Sequence, residues 1–430
     1  MDSGKLIEIL NTYNKFWSLI PLDTGVRRDV LERCLRQVDS KEILVIKGVR
    51  RSGKSTLMAQ IIKALLEKGV KPTQVLRVNL EEPLFSPEAS IDLLERIYRT
   101  YRERINPRGR CFLFLDEIQN VEKWERWVRG RSDTEDVKII LTGSSSSLLS
   151  REAGTKLTGR HVSFEVFPLS FPEFLRFNGM EVRSEQNYYG QKTSIRNLFD
   201  LYLKYGGFPE VVLKKSTEDK ELLLKQYFED IIYRDIVARH EIRDVTTLMN
   251  LAVFLLTNVS NLISVHRLKR NFDISQDKAE NYGSAMLESY LLFRLHKFTH
   301  SMKKSQRAGF KIYAVDTGLR NRVAFSFSED MSRLVENLVY VHLRQQNDDV
   351  YYEANGGEID FVIKEGIKVT RRIQVWYDDP SVHSIPVRER AAFQESKADN
   401  LLVTNDIEDV VSEGRSKIRL VPITRFLLGL

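Results

Sequence analysis

Short apolar runs alternate with longer stretches of mixed polarity over much of the chain after Glu42. In the longer stretches apolar residues recur at helical spacing, whereas the short runs are typical of buried strands. Strands that alternate with amphipathic helices predict a parallel sheet with crossover helices, and therefore an α/β fold. The predicted strands are residues 43–47, 75–79, 111–115, 137–142 and 162–167.

The pattern changes on both sides of this region. Residues 1–40 have the spacing of helices with mixed charge, and residues 222–298 are also mostly helical in pattern. Strand-like segments follow at 291–298 and 310–315, and a helix from Glu336 precedes strands at 350–353, 358–363 and 372–376. We therefore predict an N-terminal helical segment (1–40), an α/β core (41–180), a helical lid (181–320) and a small C-terminal α/β domain (321–430).

Composition agrees with several domains in a reducing compartment. A chain of 430 residues, 42% of them hydrophobic, is long enough for two or three domains with substantial cores. The two cysteines, Cys34 and Cys111, exclude a disulfide framework and lack metal-ligand spacing. The first residues have no signal-peptide pattern, and apolar runs such as 248–259 are too short to cross a bilayer. We therefore expect a cytoplasmic protein without a membrane partner.

The net charge of +7 is compatible with an anionic partner, although charges of both signs mostly describe a solvated surface. Positive charge is concentrated between Arg294 and Lys311, where the sequence has no carboxylate. The basic residues of this stretch are Arg294, His296, Lys297, His300, Lys303, Lys304, Arg307 and Lys311. A solvated loop and a nucleic-acid contact are both open interpretations of this stretch.

Residues 48–55, GVRRSGKS, fit the P-loop pattern G-x-x-x-x-G-K-[ST] at every fixed position, between a predicted strand and a predicted helix. In a P-loop, glycines let backbone N–H groups converge on phosphate oxygens at the positive end of the helix dipole. Lys54 is expected to reach the β- and γ-phosphates of ATP, and Ser55 to bind Mg²⁺. The predicted nucleotide-binding residues are Gly48, Val49, Arg50, Arg51, Ser52, Gly53, Lys54, Ser55 and Thr56.

A second motif supplies acidic residues at the end of a buried strand. The apolar run 111–115 ends in Asp116-Glu117, at a distance from the P-loop that allows one intervening strand and helix. Asp116 is expected to hold the Mg²⁺ shell, and Glu117 to orient and polarise the attacking water. An exposed acidic turn is the alternative, but the preceding P-loop disfavours it. The second acid favours hydrolysis over a nucleotide kinase or a Ras-like switch.

Two further positions are candidates for contacts with the γ-phosphate. The strand 137–142 leads into Gly143-Ser144. Ser144 is the first choice, and Thr142 the second, for a residue that senses the γ-phosphate; a serine-rich turn is the alternative. Arg160 precedes the last predicted strand, where an arginine of a ring-shaped ATPase completes the neighbouring subunit's site. An ordinary surface arginine is equally compatible with this spacing.

Together these motifs resemble a widespread family of archaeal and bacterial AAA+-type P-loop ATPases with a C-terminal domain of the DUF4143 type. The resemblance spans nearly the whole chain. The matching segments are GVRRSGKST (48–56), LDEIQNVEKWE (115–125), LTGSSSSLL (141–149), LTGRHVSFEVFPLSFPEF (157–174), GGFPEVV (206–212), KIYAVDTGL (311–319), ENLVYVHL (336–343), GGEIDFVI (356–363) and IQVWYD (373–378). It implies an AAA+ (ASCE) core, a lid containing a winged helix and a C-terminal domain of the PD-(D/E)xK nuclease fold.

The implied winged helix gives the basic stretch a place in the fold. Residues 262–271 and 276–290 would be its second and third helices, and residues 291–315 its β-hairpin. The hairpin tip would then carry Lys303, Lys304 and Arg307, with Arg267, Lys269 and Arg270 on the preceding helix. Such cations suit sequence-independent phosphate contacts with DNA. Winged helices also bind proteins, and Asp273, Asp277 and Glu280 keep that interpretation open.

The C-terminal domain departs from the nuclease pattern that the resemblance implies. A helix Glu, a strand Asp and an E-x-K on the next strand would gather a divalent metal. The matching positions are Glu336, Asp360 and Gln374-Val375-Trp376, so the second acid and the lysine are lost, with Lys364 and Lys368 as nearby substitutes. We therefore expect a vestigial nuclease site, kept for binding or assembly.

Two functions from different classes follow. The first is an ATP- and Mg²⁺-dependent machine that binds duplex or branched DNA and assembles as a homo-oligomeric ring such as a hexamer. The second is a nucleotide-dependent switch or scaffold whose target is a protein. Metal-dependent DNA cleavage by the C-terminal domain is a third and less favoured hypothesis.

Overall fold

The computed structural model describes residues 2–430 apart from 86–88, 147–158, 300–308, 326–330, 347–348, 355–357, 367, 378–385, 394–395 and 397. The chain divides into two compact units, Met1–Val166 and Phe167–Leu430. Among the described residues, no helix has the length and apolar character needed to span a membrane. The further division of the second unit into a lid and a C-terminal domain stays a prediction.

The first unit is built on a five-stranded parallel sheet, as the apolar pattern predicts. Its strands are β1 (Ile43–Lys47), β2 (Val75–Asn79), β3 (Cys111–Asp116), β4 (Val137–Gly143) and β5 (His161–Glu165). The order across the sheet is β2-β3-β4-β1-β5. Strand β4 therefore lies between the strand that leads into the P-loop and the strand that ends in Asp116, and all their carboxyl ends meet at one edge.

Helices cover both faces of this sheet, which explains why the central residues of β1, β3 and β4 are apolar. They are α1 (Ser3–Tyr13), α2 (Val30–Leu35), α3 (Lys54–Glu67), α4 (Ile91–Arg104) and α5 (Trp124–Thr134), with a 3₁₀ turn at Lys15–Ser18. Helices α1, α4 and α5 supply the apolar cluster on one face, and α2 and α3 that on the other. Leu10 of α1 is fully buried in this core, so the N-terminal segment belongs to the same unit as the sheet.

The second unit begins with a helical region. Its helices are α6 (Phe171–Phe177), α7 (Glu185–Gly190), α8 (Lys192–Tyr205), α9 (Pro209–Leu213), α10 (Thr217–Asp230), a π-helical segment (Ile231–Val237), α11 (Ala238–His240) and α12 (Val245–Thr257). Then follow β6 (Leu262–Ile263), α13 (Val265–Phe272), α14 (Gln276–Glu288), β7 (Leu292–Leu295) and β8 (Phe310–Ala314). The three strands form an antiparallel sheet in the order β6-β8-β7.

One predicted helix begins later than its sequence pattern indicates. Leu262 and Ile263 were predicted as helical, but they pair with Lys311 and Phe310 as strand β6. Ser264 then caps helix α13, because its side chain accepts a hydrogen bond from the Arg267 N–H. The cap, rather than the apolar residues before it, determines where this helix starts.

The C-terminal part of the second unit contains a six-stranded mixed sheet. Its elements are α15 (Thr317–Val323), α16 (Met331–Gln345), β9 (Asp349–Ala354), β10 (Glu358–Glu365), β11 (Lys368–Trp376), α17 (Val387–Ala391), β12 (Asp399–Thr404), β13 (Asp409–Glu413), β14 (Ser416–Pro422) and α18 (Ile423–Leu428). The strand order is β13-β14-β12-β11-β10-β9. Strands β12, β13 and β14 are absent from the sequence prediction.

Two of the quoted sequence segments, GGFPEVV and KIYAVDTGL, meet inside the second unit. The buried Asp316 carboxylate accepts hydrogen bonds from the N–H groups of Gly207 at 2.7 Å and Leu319 at 2.9 Å. Burial raises the pKa of Asp316 to about 6. A Cβ atom on Gly318 would lie 2.1 Å from the Tyr205 carbonyl oxygen, so glycine is required there by close backbone approach.

Replacing Gly318 should therefore destabilise the second unit. We expect Gly318→Ala to lower its free energy of unfolding by about 3 kcal/mol, because the clash is with backbone rather than with a flexible side chain. Urea unfolding followed by amide exchange in residues 200–210 and 315–323 measures this loss.

Gly283→Ala is the matched control. Gly283 lies within helix α14 of the same unit, and its added Cβ would meet only Arg294 Nη2, at 4.0 Å. Alanine is the better helix former, so stability should stay equal or rise by up to about 1 kcal/mol. Equal losses from both substitutions would contradict the steric explanation.

Candidate functional site

The P-loop connects β1 to α3 through backbone conformations that depend on glycine. Gly48 has φ +151°, and a Cβ there would lie 2.1 Å from the Val166 carbonyl oxygen. Gly53 has φ +95° and directly precedes Lys54, the first residue of α3. Arg51 also lies in the left-handed region, with φ +67°. The loop therefore curves tightly around the amino end of α3, where a helix presents unpaired N–H groups to an anion.

Lys54 is held inside this loop by the chain itself. Its ammonium donates to the carbonyl oxygens of Gly48 and Val49, each at 3.1 Å, and lies 3.6 Å from Glu117 Oε1. The side chain is only 4% exposed. A buried lysine with two carbonyls and one carboxylate as neighbours is a fixed cation, already placed where the P-loop converges.

Asp116 and Glu117 stand together at the carboxyl end of β3, and Thr142 of the neighbouring strand links them. The Thr142 hydroxyl donates to Asp116 Oδ1 at 2.5 Å and accepts from the Glu117 N–H at 2.9 Å. Arg77 donates to the other oxygen of Asp116 at 3.3 Å. Glu117 has φ +55°, so the chain turns sharply at this residue. Thr142, predicted after Ser144 as a γ-phosphate sensor, thus contacts both acids, and its role as a sensor stays a prediction.

Gln119 is a site residue that sequence reasoning missed. Its amide donates to Glu117 Oε2 and also to Ser144 Oγ, the latter at 3.4 Å. Burial alone would raise the pKa of Glu117, but Lys54 and the hydrogen bond from Gln119 outweigh it, so the pKa is lowered. The signal was available in the sequence, because Gln119 follows the Asp-Glu pair by two positions. Ser144, the favoured sensor candidate, thus lies in the same network as Glu117.

A second missed element lies before the sheet. The buried Arg28 donates to the Ser52 carbonyl oxygen at 2.6 Å, and its own N–H is bound by Gln60 Oε1 at 3.2 Å. Gln60, on α3, also donates to the carbonyl oxygens of Thr24 and Val26, each at 2.8 Å. Residues 24–28 are therefore fastened to the P-loop and to α3. Arg28 follows Arg27 in a stretch without a recognisable motif, so this contact was not predicted.

The predicted nucleotide-binding residues fit a phosphate ligand with Mg²⁺. Ser52 Oγ is buried and lacks a hydrogen-bond partner within the described part of the chain. Ser55 is exposed on the first turn of α3, and Thr56 is half-buried beside it. Arg50 forms an ion pair with Glu81 at 2.9 Å. A loop that glycine keeps open, an unpartnered hydroxyl and a fixed cation together suit a polyphosphate.

Arg160 lies at the other edge of the sheet. Its carbonyl oxygen accepts from the Ile43 N–H at 2.8 Å, at the amino end of β1, and its guanidinium is ion-paired with Asp133. Five residues of extended strand separate this edge from Gly48, or about 16 Å. Arg160 therefore does not belong to the nucleotide site of its own chain.

The basic residues predicted for DNA fall into two groups. Lys303, Lys304 and Arg307 lie outside the described residues. Arg267, Lys269 and Arg270 are exposed on α13, and Arg267 also lies over the Phe254 ring. Two other cations of the basic stretch are withdrawn from water: Arg294 stacks on Phe310, and Lys311 is buried.

Glu336, Asp360 and Gln374, the vestigial nuclease residues, do meet in the second unit. Gln374 accepts from the Asp360 N–H at 3.1 Å and donates to Glu389 at 2.9 Å. The expectation that Lys364 or Lys368 supplies the missing ammonium is wrong: Lys364 pairs with Asp349, and Lys311 of β8 lies 2.9 Å from Asp360. Burial alone would lower the pKa of Lys311, but the surrounding carboxylates raise it, so the lysine stays charged.

Comparison with known proteins agrees with the P-loop fold. A family model described as an AAA domain matches residues 40–175, and DUF8612, a domain of unknown function, matches residues 196–330. An uncharacterized protein of Methanocaldococcus jannaschii is 33% identical over 333 residues, which cover 75% of this chain and 72% of that protein. The chain belongs to the family of this archaeal protein.

A more distant relative and the similar solved structures add little about activity. An uncharacterized Haemophilus influenzae protein is 28% identical over 360 residues, 82% of this chain and 87% of that protein. AMPPCP-bound DnaA from Aquifex aeolicus has a TM-score of 0.26 at 16% identity, covering 63% of this chain and 90% of that one. Cdc6p from Pyrobaculum aerophilum has a TM-score of 0.31 at 8% identity, covering 76% and 98%. The family model over residues 40–175 confirms the AAA domain. The DUF4143 type is not confirmed, because the model that matches residues 196–330 is DUF8612.

Thr142 offers a test of how this site is positioned. Thr142→Val keeps the shape but leaves the Glu117 N–H and the Asp116 carboxylate without their shared hydroxyl. We expect ATP turnover to fall about 10- to 100-fold and the unfolding free energy to fall by about 1–3 kcal/mol. Steady-state phosphate release and urea unfolding of the full chain measure the two effects.

Thr142→Ser is the control, since it keeps the hydroxyl and removes only a methyl group. It should retain most of the turnover. If the Ser and Val variants lose turnover equally, the hydroxyl does not position the acids.

Proposed function

We propose that this protein is a cytoplasmic ATPase of the AAA+ type that uses Mg²⁺-dependent ATP hydrolysis to move along or remodel DNA. The observation that carries the proposal is the Lys54–Glu117 pair, with a buried ammonium 3.6 Å from a carboxylate that Gln119 and Ser144 keep in place. A P-loop alone would serve binding, whereas the added, ionised Glu117 supports hydrolysis.

Each residue of the site has a separate part in this reaction. The N–H groups of residues 48–55 bind the phosphates, and Lys54 neutralises the β- and γ-phosphates. Ser55 and Asp116 would hold Mg²⁺, which when bound neutralises phosphate charge. Glu117 orients the attacking water and accepts its proton. Ser144 shares Gln119 with Glu117, so it is suited to respond when the γ-phosphate leaves.

The case for DNA depends on the elements from α12 to β8. A helix, a short strand, two further helices and a hairpin, in a three-stranded antiparallel sheet, match the order of a winged helix. Its helix α13 exposes Arg267, Lys269 and Arg270 without a carboxylate among its residues. We propose that these cations, together with Lys303, Lys304 and Arg307, which the sequence analysis predicts at the hairpin tip, contact the phosphates of duplex or branched DNA.

A homo-oligomeric ring, such as a hexamer, is proposed from the place of Arg160. Because this arginine is about 16 Å from its own P-loop, its contact with a nucleotide requires a neighbouring subunit. Its partner Asp133 is half-exposed, so the ion pair can exchange for another at little cost.

A nucleotide-dependent switch with a protein partner is the second candidate. Helix α14, the helix that usually reads DNA in a winged helix, exposes Asp277 and Glu280, which repel phosphate. This candidate predicts slow turnover that DNA does not change and a particle size that depends on ATP. Analytical ultracentrifugation with and without ATP measures the size, and identical profiles would contradict the switch.

The hydrolysis step is tested at Glu117. Glu117→Gln should still bind ATP but hydrolyse it at least about 100-fold more slowly, because only the water-orienting carboxylate is lost. Lys54→Ala should lose ATP binding itself. Fluorescent-nucleotide binding and phosphate release measure affinity and turnover separately.

Glu122→Gln removes an exposed carboxylate from the same loop region and should leave both quantities unchanged. A Glu117→Gln variant with wild-type turnover would show that another group orients the water.

The DNA contact is tested on α13. Replacing Lys269 and Arg270 by Glu should weaken binding to a duplex at least about tenfold and lower the salt dependence by about two counterions. Binding is measured by fluorescence anisotropy across a salt series, together with DNA-stimulated ATP turnover of the same samples.

Lys214→Glu with Lys215→Glu is the control, because these two exposed lysines change the net charge equally at the end of α9. Equal weakening by both pairs would mean that only net charge matters. Turnover that no DNA stimulates would favour the switch.

A further inference from the structure

Strand β8 carries a lysine into the middle of three carboxylates. Lys311 Nζ lies 2.9 Å from Asp360 Oδ1, 3.0 Å from Glu358 Oε1 and 3.1 Å from Glu336 Oε1. The Lys311 side chain is 4% exposed and Asp360 is 7% exposed, whereas Glu358 is 61% exposed and closes the cluster on the solvent side. The ammonium thus has a carboxylate for each of its three N–H bonds.

The same carboxylates have further donors from the protein. Asp360 Oδ2 accepts from the Val375 N–H at 3.0 Å, so both oxygens of Asp360 are engaged. Glu336 Oε1 accepts from the Tyr313 hydroxyl at 2.7 Å as well as from Lys311. Within the described residues there is no group of three or more His, Cys, Asp or Glu that could hold a metal ion. A divalent cation would have to displace an ammonium that already satisfies the acids.

Helix α16 binds the same strand through neighbouring residues. The Asn337 side chain accepts from the Ala314 N–H at 2.7 Å and donates to its carbonyl oxygen at 3.0 Å, as a paired strand would. Tyr313 stacks on Tyr340 with ring centroids 4.1 Å apart. Lys311 and Tyr313, alternate residues of β8, therefore contact α16 and β10 and are shielded from solvent.

The other arm of the hairpin also binds the C-terminal sheet. The Phe298 N–H donates to the Tyr352 carbonyl oxygen at 2.7 Å, and the Tyr352 N–H donates to His296 at 3.1 Å. The Tyr352 hydroxyl reaches the Gly309 carbonyl oxygen at 2.6 Å. Both strands of the hairpin are thus attached to the C-terminal sheet near the hairpin's outer end.

We propose that Lys311 is the resident cation of this carboxylate cluster, in the place that a divalent metal would otherwise take, and that the cluster fastens the hairpin to the C-terminal domain. Uncompensated carboxylates in such a buried place are costly, and a lysine on β8 compensates them only if β8 stays in position. The acids are therefore kept for assembly of the second unit and not for cleavage. This proposal is independent of the ATPase reaction.

The test uses the full chain without nucleotide. Amide exchange by mass spectrometry is followed in residues 309–315 and 358–363, in EDTA and in MnCl₂, so that the readout is local to the cluster. Wild-type exchange should be the same with and without Mn²⁺. Lys311→Met should lose at least about tenfold protection in both segments, and Mn²⁺ should restore part of it by taking the ammonium's place.

Lys364→Met is the matched control, because Lys364 lies on β10 with a single carboxylate partner, Asp349, at 3.5 Å. It should change protection by less than about twofold. Equal effects of the two substitutions would overturn the proposal. The proposal would also be overturned if Mn²⁺ slowed exchange in the wild-type chain and Asp360→Asn abolished this effect, because the resident cation would then be the metal. This comparison does not depend on the folding of Lys311→Met.

Discussion

A parallel sheet covered on both faces leaves little room for polar side chains along its strands, and this constraint organises the first unit. The polar side chains that do lie in the strands are hydrogen-bonded, as Arg77 and Lys138 are, and Asp116 and Thr142 are buried at the strand ends and hydrogen-bonded to one another. Because the carboxyl ends of β1, β3 and β4 meet at one edge, the pairing of these strands brings the P-loop, the acids and Ser144 together. The polar residues of the candidate site therefore lie where the apolar core of the sheet ends.

The sequence predicted this part well for the same reason. Each strand of the first unit is either mainly apolar or, as in β5, alternates apolar with polar residues, so the five strands and the motif at the end of β1 could be located from pattern alone. The pairing order β2-β3-β4-β1-β5 is not visible in any run, yet it determines that Thr142 stands beside Asp116. Gln119 was missed although it lies two positions after the Asp-Glu pair, and Arg28 was missed because its partner, the Ser52 carbonyl oxygen, lies 24 residues further along the chain.

The second unit shows where pattern reasoning fails. Strands β12 to β14 were not predicted, although Leu402, Ile418 and Leu420 share one apolar cluster with Trp376. Strand β13 is largely exposed, so its periodicity is weak. Strands β12 and β14, of 6 and 7 residues, have the buried positions typical of strands and were overlooked. Lys311 was counted as part of a basic surface, whereas tertiary pairing places it among acids. A charge count along the chain cannot tell a solvated cation from a compensating one.

The N-terminal segment is linked to Asp116 through a series of contacts. Asn14 pairs with both backbone groups of Arg77 on the outer strand β2, and Arg77 in turn donates to Asp116. Trp17 covers the same strand edge through the Val75 carbonyl oxygen. These side chains occupy an edge that would otherwise pair with another chain. A fragment that starts at β1 would lack these contacts, so the edge of β2 would be free to pair with another chain and Asp116 would be held less firmly. A fragment expressed to bind nucleotide should therefore include helix α1.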